Sequence, residues 1–123
     1  MTPTKLNTFL GLFSLGLGAA EIFYPGTIKD KTGVRSEALI KAFGLREVAS
    51  AGVLLAAPSN PAGPLGRVGG DILDIVAAGR EAFRKDNPAR GGAIFALAFV
   101  GGALLLDAYA TYRTAQITPG QAR

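Results

Sequence analysis

Apolar residues in this chain gather into four runs separated by turns rich in proline, glycine and charge. Each run predicts a helix, over residues 6–24, 38–57, 65–83 and 91–112. The third run is the informative one. At about 100° per residue, Arg67, Asp71, Asp74, Ala78, Glu81 and Lys85 fall on one face of a helix, while Leu65, Gly69, Ile72, Val76 and Phe83 fall opposite. A charged face of this kind needs partners, and the first and fourth runs are apolar nearly all round. The pattern predicts an all-α fold in one domain, 1–123: a four-helix transmembrane bundle with a buried Arg/Asp/Glu network. A soluble helical protein with the charged stripe facing water is the alternative, and the third run alone would fit it.

The punctuation supports these limits. Thr2 and Pro3 read as an N-cap and first turn, and Pro25-Gly26 as the end of the first helix. Residues 27–37 read as a polar connection carrying Lys29, Asp30, Lys31 and Arg35, with Ser36 capping the second helix. The short, proline-rich turn 58–64 implies an antiparallel hairpin. Asn87 reads as a cap with Pro88 in the first turn of the fourth helix. Tyr109, Tyr112 and Arg113 read as interfacial anchors, and residues 114–123 as a frayed polar tail. Ser14 and Gly18 make a small-xxx-small step for helix packing. Lys5, the apolar run and Gly18-Ala19-Ala20 also fit a cleavable signal peptide.

Insertion energetics locate the difficulty in the middle of the chain. Each Leu, Ile, Phe or Val contributes about −0.3 to −0.6 kcal/mol, against roughly +2.5 to +3.5 kcal/mol for a mid-helix charge. Arg46 and Glu47 in the second run, and Asp71 and Asp74 in the third, therefore make those runs poor spans alone. They are expected to enter as a hairpin shielded by the first and fourth. Lys29, Lys31, Arg35, Arg80, Arg84, Lys85 and Arg90 lie in or beside the connections on one side, against Lys5, Arg113 and Arg123 on the other. The positive-inside rule then puts both termini outside the cytoplasm. Measured by helical rise from the cytoplasmic ends, Glu21 lies at about 4 Å, Arg46 about 12 Å, Asp74 about 14 Å, Asp71 about 18 Å, and Arg67 and Asp107 about 24 Å. Level charges pair, so the expected partners are Arg46 with Asp74, with Asp71 as a second acceptor, and Arg67 with Asp107. Arg67 also reaches Asp71 one turn along its own helix.

Composition narrows the chemistry. Cys and His are both absent, which removes disulfides, thiolate metal sites and the commonest general base. The net charge of +4 resides in connections and suits anionic headgroups rather than nucleic acid. Asp71 and Asp74 share a face, but a hard cation would want more oxygens, so no metal is expected. Ser14 and Ser50 have no His partner and no GxSxG occurs, so an enzyme is not expected. Gly66, Gly69 and Gly70 match no nucleotide-binding pattern and are read as packing residues; no cofactor is expected.

What remains is the polar constellation Glu21, Arg46, Glu47, Arg67, Asp71, Asp74 and Asp107, in which acids outnumber bases. If each arginine neutralises one acid, Glu47 and one of Asp71 and Asp74 are left over, and burial favours their holding a proton. Two readings follow: structural salt bridges that fix helix register, or the carboxylates of a proton-coupled carrier.

FSLGLGAAEIFYPGTI, FGLREVASAGVLLAA and RVGGDILDIVA resemble, in order and spacing over residues 9–80, a family of small, uncharacterised bacterial four-helix membrane proteins. That family carries the patterns LGLxELxxP, GLREIxxGxxIL and RVxGDxxDL, and its relatives are sometimes associated with START-like domains labelled cyclase/dehydrase. The resemblance implies that Glu21, Arg46, Glu47, Arg67, Asp71 and Asp74 are family polar positions in a bacterial inner membrane. It implies no activity, and Asp107 lies outside it. The expected role is a non-enzymatic accessory module binding a lipid-like ligand or a partner subunit, with a small proton-coupled carrier or channel as the alternative. A membrane enzyme acting on an isoprenoid or lipid is a third possibility. Expected partners are membrane lipids, a second copy of the chain or a membrane partner subunit, and no nucleic acid.

Overall fold

The computed structural model describes residues 2–34 and 36–117. Regular structure among them is all helical: α1 (Pro3–Phe23), α2 (Pro25–Thr32), α3 (Glu37–Ala56), α4 (Ala62–Ala82) and α5 (Arg90–Ala115). Arg35 and residues 118–123, which entered the charge count and the expected tail, lie outside the described residues.

Five helices correct the expectation of a four-helix transmembrane bundle. The extra element is α2, inside what reads as a polar connection. Pro25 does end α1, but its fixed φ also suits the first position of a new helix, so the same residue stops one helix and starts the next. Lys29 and Lys31 occupy its last turn, where cations are favoured, and Gly33 closes it in the left-handed conformation at φ 78°. A second finding weighs against that bundle. Among the described helices only α1 and α5 are long and apolar enough to cross a membrane; α3 and α4, of similar length, carry charges at their centres.

α1 packs along α3, and α4 along α5. The first of these contacts depends on glycine. A Cβ on Gly18 would stand 2.8 Å from the Gly44 carbonyl oxygen, and one on Gly44 would stand 2.9 Å from that of Gly18. The backbones therefore meet almost directly, as small residues permit.

Polar contacts tie both ends of the assembly. At one end the Asn7 amide donates to the Pro58 carbonyl at 2.7 Å and to the Thr114 hydroxyl at 2.8 Å. The start of α1, the α3–α4 turn and the end of α5 thus lie together. Thr114 is buried inside α5, which corrects its assignment to a frayed tail. At the other end Asn87 donates to the carbonyls of Thr32 and Glu81, and Arg84 donates to that of Gly33. Asn87 therefore joins α2 to the α4–α5 connection while its Oδ1 accepts from the Ala89 N–H; the N-cap of α5 is Ala89, two residues beyond the expected one. Thr2 and Ser36 cap α1 and α3 through their hydroxyls.

Polarity is inverted relative to a water-soluble domain. The buried side chains include Asn7, Ser14, Glu47, Arg67, Asp71, Asp107 and Thr114. The exposed ones include Leu12, Phe23, Leu45, Phe95 and Leu105. On α4, Arg67 and Asp71 point inward while Leu65, Ile72, Val76 and Phe83 are 52–77% exposed.

Gly18→Ala is expected to lower stability by about 1–3 kcal/mol, because the neighbouring carbonyl cannot yield without shifting a helix. Gly16→Ala, where a Cβ meets nothing within 4 Å, is expected to be neutral or mildly stabilising. Unfolding midpoints of the two variants in detergent check the contrast.

Candidate functional site

Each of the four long helices contributes to the interior from a line of residues seven or fourteen apart: Asn7, Ser14 and Glu21 on α1; Ile40, Glu47 and Leu54 on α3; Pro64, Asp71 and Ala78 on α4; Ala93, Asp107 and Thr114 on α5. Seven residues make nearly two helical turns, so these positions recur on one face.

Glu47 is the hub. Its Oε1 accepts from Arg46 Nη2 at 3.0 Å, and its Oε2 accepts from Arg67 Nη1 at 3.0 Å. Arg67 also donates through Nε to Asp107 at 2.9 Å and through Nη1 to the Ser14 hydroxyl. One guanidinium on α4 thereby links α1, α3 and α5. Arg46 donates to both Asp74 oxygens, at 2.9 and 3.2 Å, and to the Gly70 carbonyl at 3.0 Å. That approach requires glycine, since a Cβ on residue 70 would lie 2.7 Å from the guanidinium carbon. Phe43 and Phe13 stand against the two guanidinium groups, with ring centroids 5.3 and 5.8 Å from their carbons.

The Arg46–Asp74 and Arg67–Asp107 pairs expected from helical rise are both present, at 2.9 Å. Other placements differ from expectation. Glu47, expected to be left over, accepts from both arginines. Asp71, expected as a second acceptor for Arg46 or a neighbour for Arg67, forms an ion pair with neither among the described residues. Its Oδ2 and that of Asp107 are buried without a hydrogen-bond partner. Glu21 also makes no ion pair or hydrogen bond with any described residue. Gly66 and Gly69 meet open space, so packing accounts for Gly70 alone of the three glycines. Ser14 was legible as a small residue but not as an arginine acceptor. Its seven-residue spacing from Asn7 and Glu21 is the signal that could have found it.

Beside the network, a cavity of about 670 Å³ opens between α1 and α5. Leu17, Phe43, Ala78, Phe95, Ala96 and Phe99 give it apolar walls; Glu21 and Asp74 interrupt them, and Lys31 of α2 contributes at one end. A second cavity of about 400 Å³ reaches Arg67 and Asp107 between Phe13 and α5. Phe99 lines both and pairs with Phe13 at 5.8 Å between centroids. No family model, curated protein or solved structure matches the chain. Both guanidinium groups are already ion-paired with carboxylates of the chain, which leaves them little net charge to offer an anionic ligand. The unoccupied polar capacity of the larger cavity lies in Glu21, and its walls suit hydrocarbon.

Arg67→Ala is expected to cost about 3–5 kcal/mol, because it leaves buried Asp107 without a counter-charge and Glu47 with Arg46 alone. Asp71→Asn, which removes no arginine bond, is expected to cost less than about 1 kcal/mol. Equilibrium unfolding of both variants in one detergent checks the difference.

Proposed function

We propose that this protein is a non-enzymatic membrane protein whose larger cavity binds a lipid-like ligand. The observation that carries the proposal is the cavity of about 670 Å³, apolar in its walls and open between α1 and α5. Its volume falls within the ordinary range of small-molecule sites, and a hydrocarbon chain would gain roughly 0.8 kcal/mol for each methylene taken out of water.

The inverted polarity supports the membrane setting. Soluble monomers rarely expose contiguous apolar patches above a few hundred Å². Here large apolar side chains are exposed along all four long helices. α1 and α5 also differ from the core helices of a soluble protein: only 28% of the apolar stretch of α1 and 17% of that of α5 is buried. The inner membrane of a bacterium is the proposed location, in keeping with the family resemblance of the sequence. The positive-inside rule supports a cytoplasmic position for the end bearing Lys29, Lys31, Arg84, Lys85 and Arg90. Both termini then lie on the other side, with Lys5 and Arg113. In this reading Arg46, Glu47, Arg67, Asp74 and Asp107 hold the helices in register around the cavity, and their charges perform no reaction.

Native mass spectrometry of the protein released from a mild detergent tests the proposal. The expected result is a stoichiometric adduct of lipid mass that is weakened or lost in Ala96→Trp, whose indole would project into the cavity. A clean ligand-free species with added lipid present, or an adduct unaffected by Ala96→Trp, would count against it.

A further inference from the structure

The larger cavity has one feature that a site for plain hydrocarbon does not need. Glu21 stands in its wall, on the α1 line that also carries Asn7 and Ser14, and no described residue forms an ion pair or a hydrogen bond with its carboxyl. Its backbone position is fixed by the tight α1–α3 crossing, where the Glu21 Cβ lies 3.0 Å from where a Cβ on Gly44 would stand.

The neighbouring charges do not serve it. Both Asp74 oxygens accept from Arg46, which also donates to Glu47 and to the Gly70 carbonyl. Arg67 is committed to Asp107, Glu47 and Ser14. Lys31 lines the same cavity from α2, but its side chain is exposed at the end of the cavity and makes no ion pair with Glu21. The Glu21 carboxyl, among Leu17, Phe95, Ala96 and Phe99, is thus the acid of the wall that no described cation pairs with. A charge in such surroundings is expensive until a counter-charge arrives.

We propose that the ligand of this cavity carries an ammonium group that pairs with Glu21 while its aliphatic part occupies the apolar walls. This deepens the lipid-like reading above and rests on it. The recognised chemistry is a primary ammonium on an aliphatic chain, whether that of a free lipophilic amine or of an aminophospholipid headgroup. In the headgroup case the exposed Lys31 is placed to meet the phosphate. An anionic amphiphile is disfavoured, because its charge would face Glu21 and Asp74 in the wall, and both arginines are already ion-paired with carboxylates of the chain.

The test uses the full chain in a mild detergent and reads the shift in unfolding temperature with octylammonium, octanol and octanoate as matched probes. The expected order is octylammonium well above octanol, with octanoate lowest. In Glu21→Gln, which removes no bond and should fold normally, octylammonium is expected to bind about ten-fold more weakly, the loss of an ordinary charged hydrogen bond. Octanol should be unaffected by that substitution. Glu21→Asp, which keeps the charge, should retain part of the ammonium preference. Dihexanoyl phosphatidylethanolamine tested against the phosphatidylglycerol analogue separates the two sources: a preference for the ethanolamine lipid above that for octylammonium assigns the headgroup, and the reverse assigns the free amine. Equal shifts with octylammonium and octanol, or an ammonium preference that survives in Glu21→Gln, would overturn the assignment while leaving an apolar ligand site intact. No shift with any probe would remove both readings.

Discussion

The bridging of two arginines by one carboxylate is the interaction on which the interior depends. Glu47 holds Arg46 with one oxygen and Arg67 with the other, and it is 4% exposed. Through Arg67 it is tied to Ser14 on α1 and Asp107 on α5; through Arg46 it is tied to Asp74 and the α4 backbone. A rotation or slide of any long helix would break at least one of these bonds, and for α3, α4 or α5 the bond broken is an ion pair. Burying the cluster is itself costly, and a well-packed apolar interior of the same volume could be as stable. What the cluster adds is direction: apolar contacts between such helices would tolerate many registers, whereas these hydrogen bonds are satisfied in one.

That constraint explains the distribution of the other side chains. With the polar residues drawn to the centre, leucines and phenylalanines are left for the outside, and the glycines that matter are those that let helices close on the cluster. Gly18 and Gly44 bring α1 onto α3, and Gly70 admits the Arg46 guanidinium. The larger cavity lies where the network stops. α1 and α5 hardly meet beside it, and α2 lies across one end, so the space is bounded by α3 and α4 and open between the outer pair. The same economy leaves Glu21 exposed to the cavity, one step of seven residues beyond Ser14.

Much of this was legible in the residues. Helical rise alone places Arg46 level with Asp74 and Arg67 level with Asp107, because both pairs sit on helices long enough for the count to hold. The role of Glu47 was hidden by its position next to Arg46. Adjacent helical residues point about 100° apart and do not normally pair, and only the folded geometry brings both to the same junction. α2 was hidden by the double meaning of proline, which stops one helix and starts another. Asn87 resembles an N-cap in sequence, and its Oδ1 does accept from the Ala89 N–H, but no local pattern reveals that its amide nitrogen also reaches the carbonyls of Thr32 and Glu81. Residues 38–57 and 65–83 look like spans by length, but the charges that make them useful to the interior also remove them from the class of apolar spanning helices.

The most direct test of the inverted arrangement asks what covers the outer face. The chain has no cysteine, so Leu12→Cys and Leu105→Cys give single labelling sites on α1 and α5, at positions 59% and 74% exposed. Nitroxides at these sites, in protein reconstituted into bilayers, report collisions with oxygen and with a water-soluble nickel chelate. The account predicts high oxygen and low chelate accessibility at both positions, as in hydrocarbon. Ready collision with the chelate at both would show a water-covered surface and contradict it.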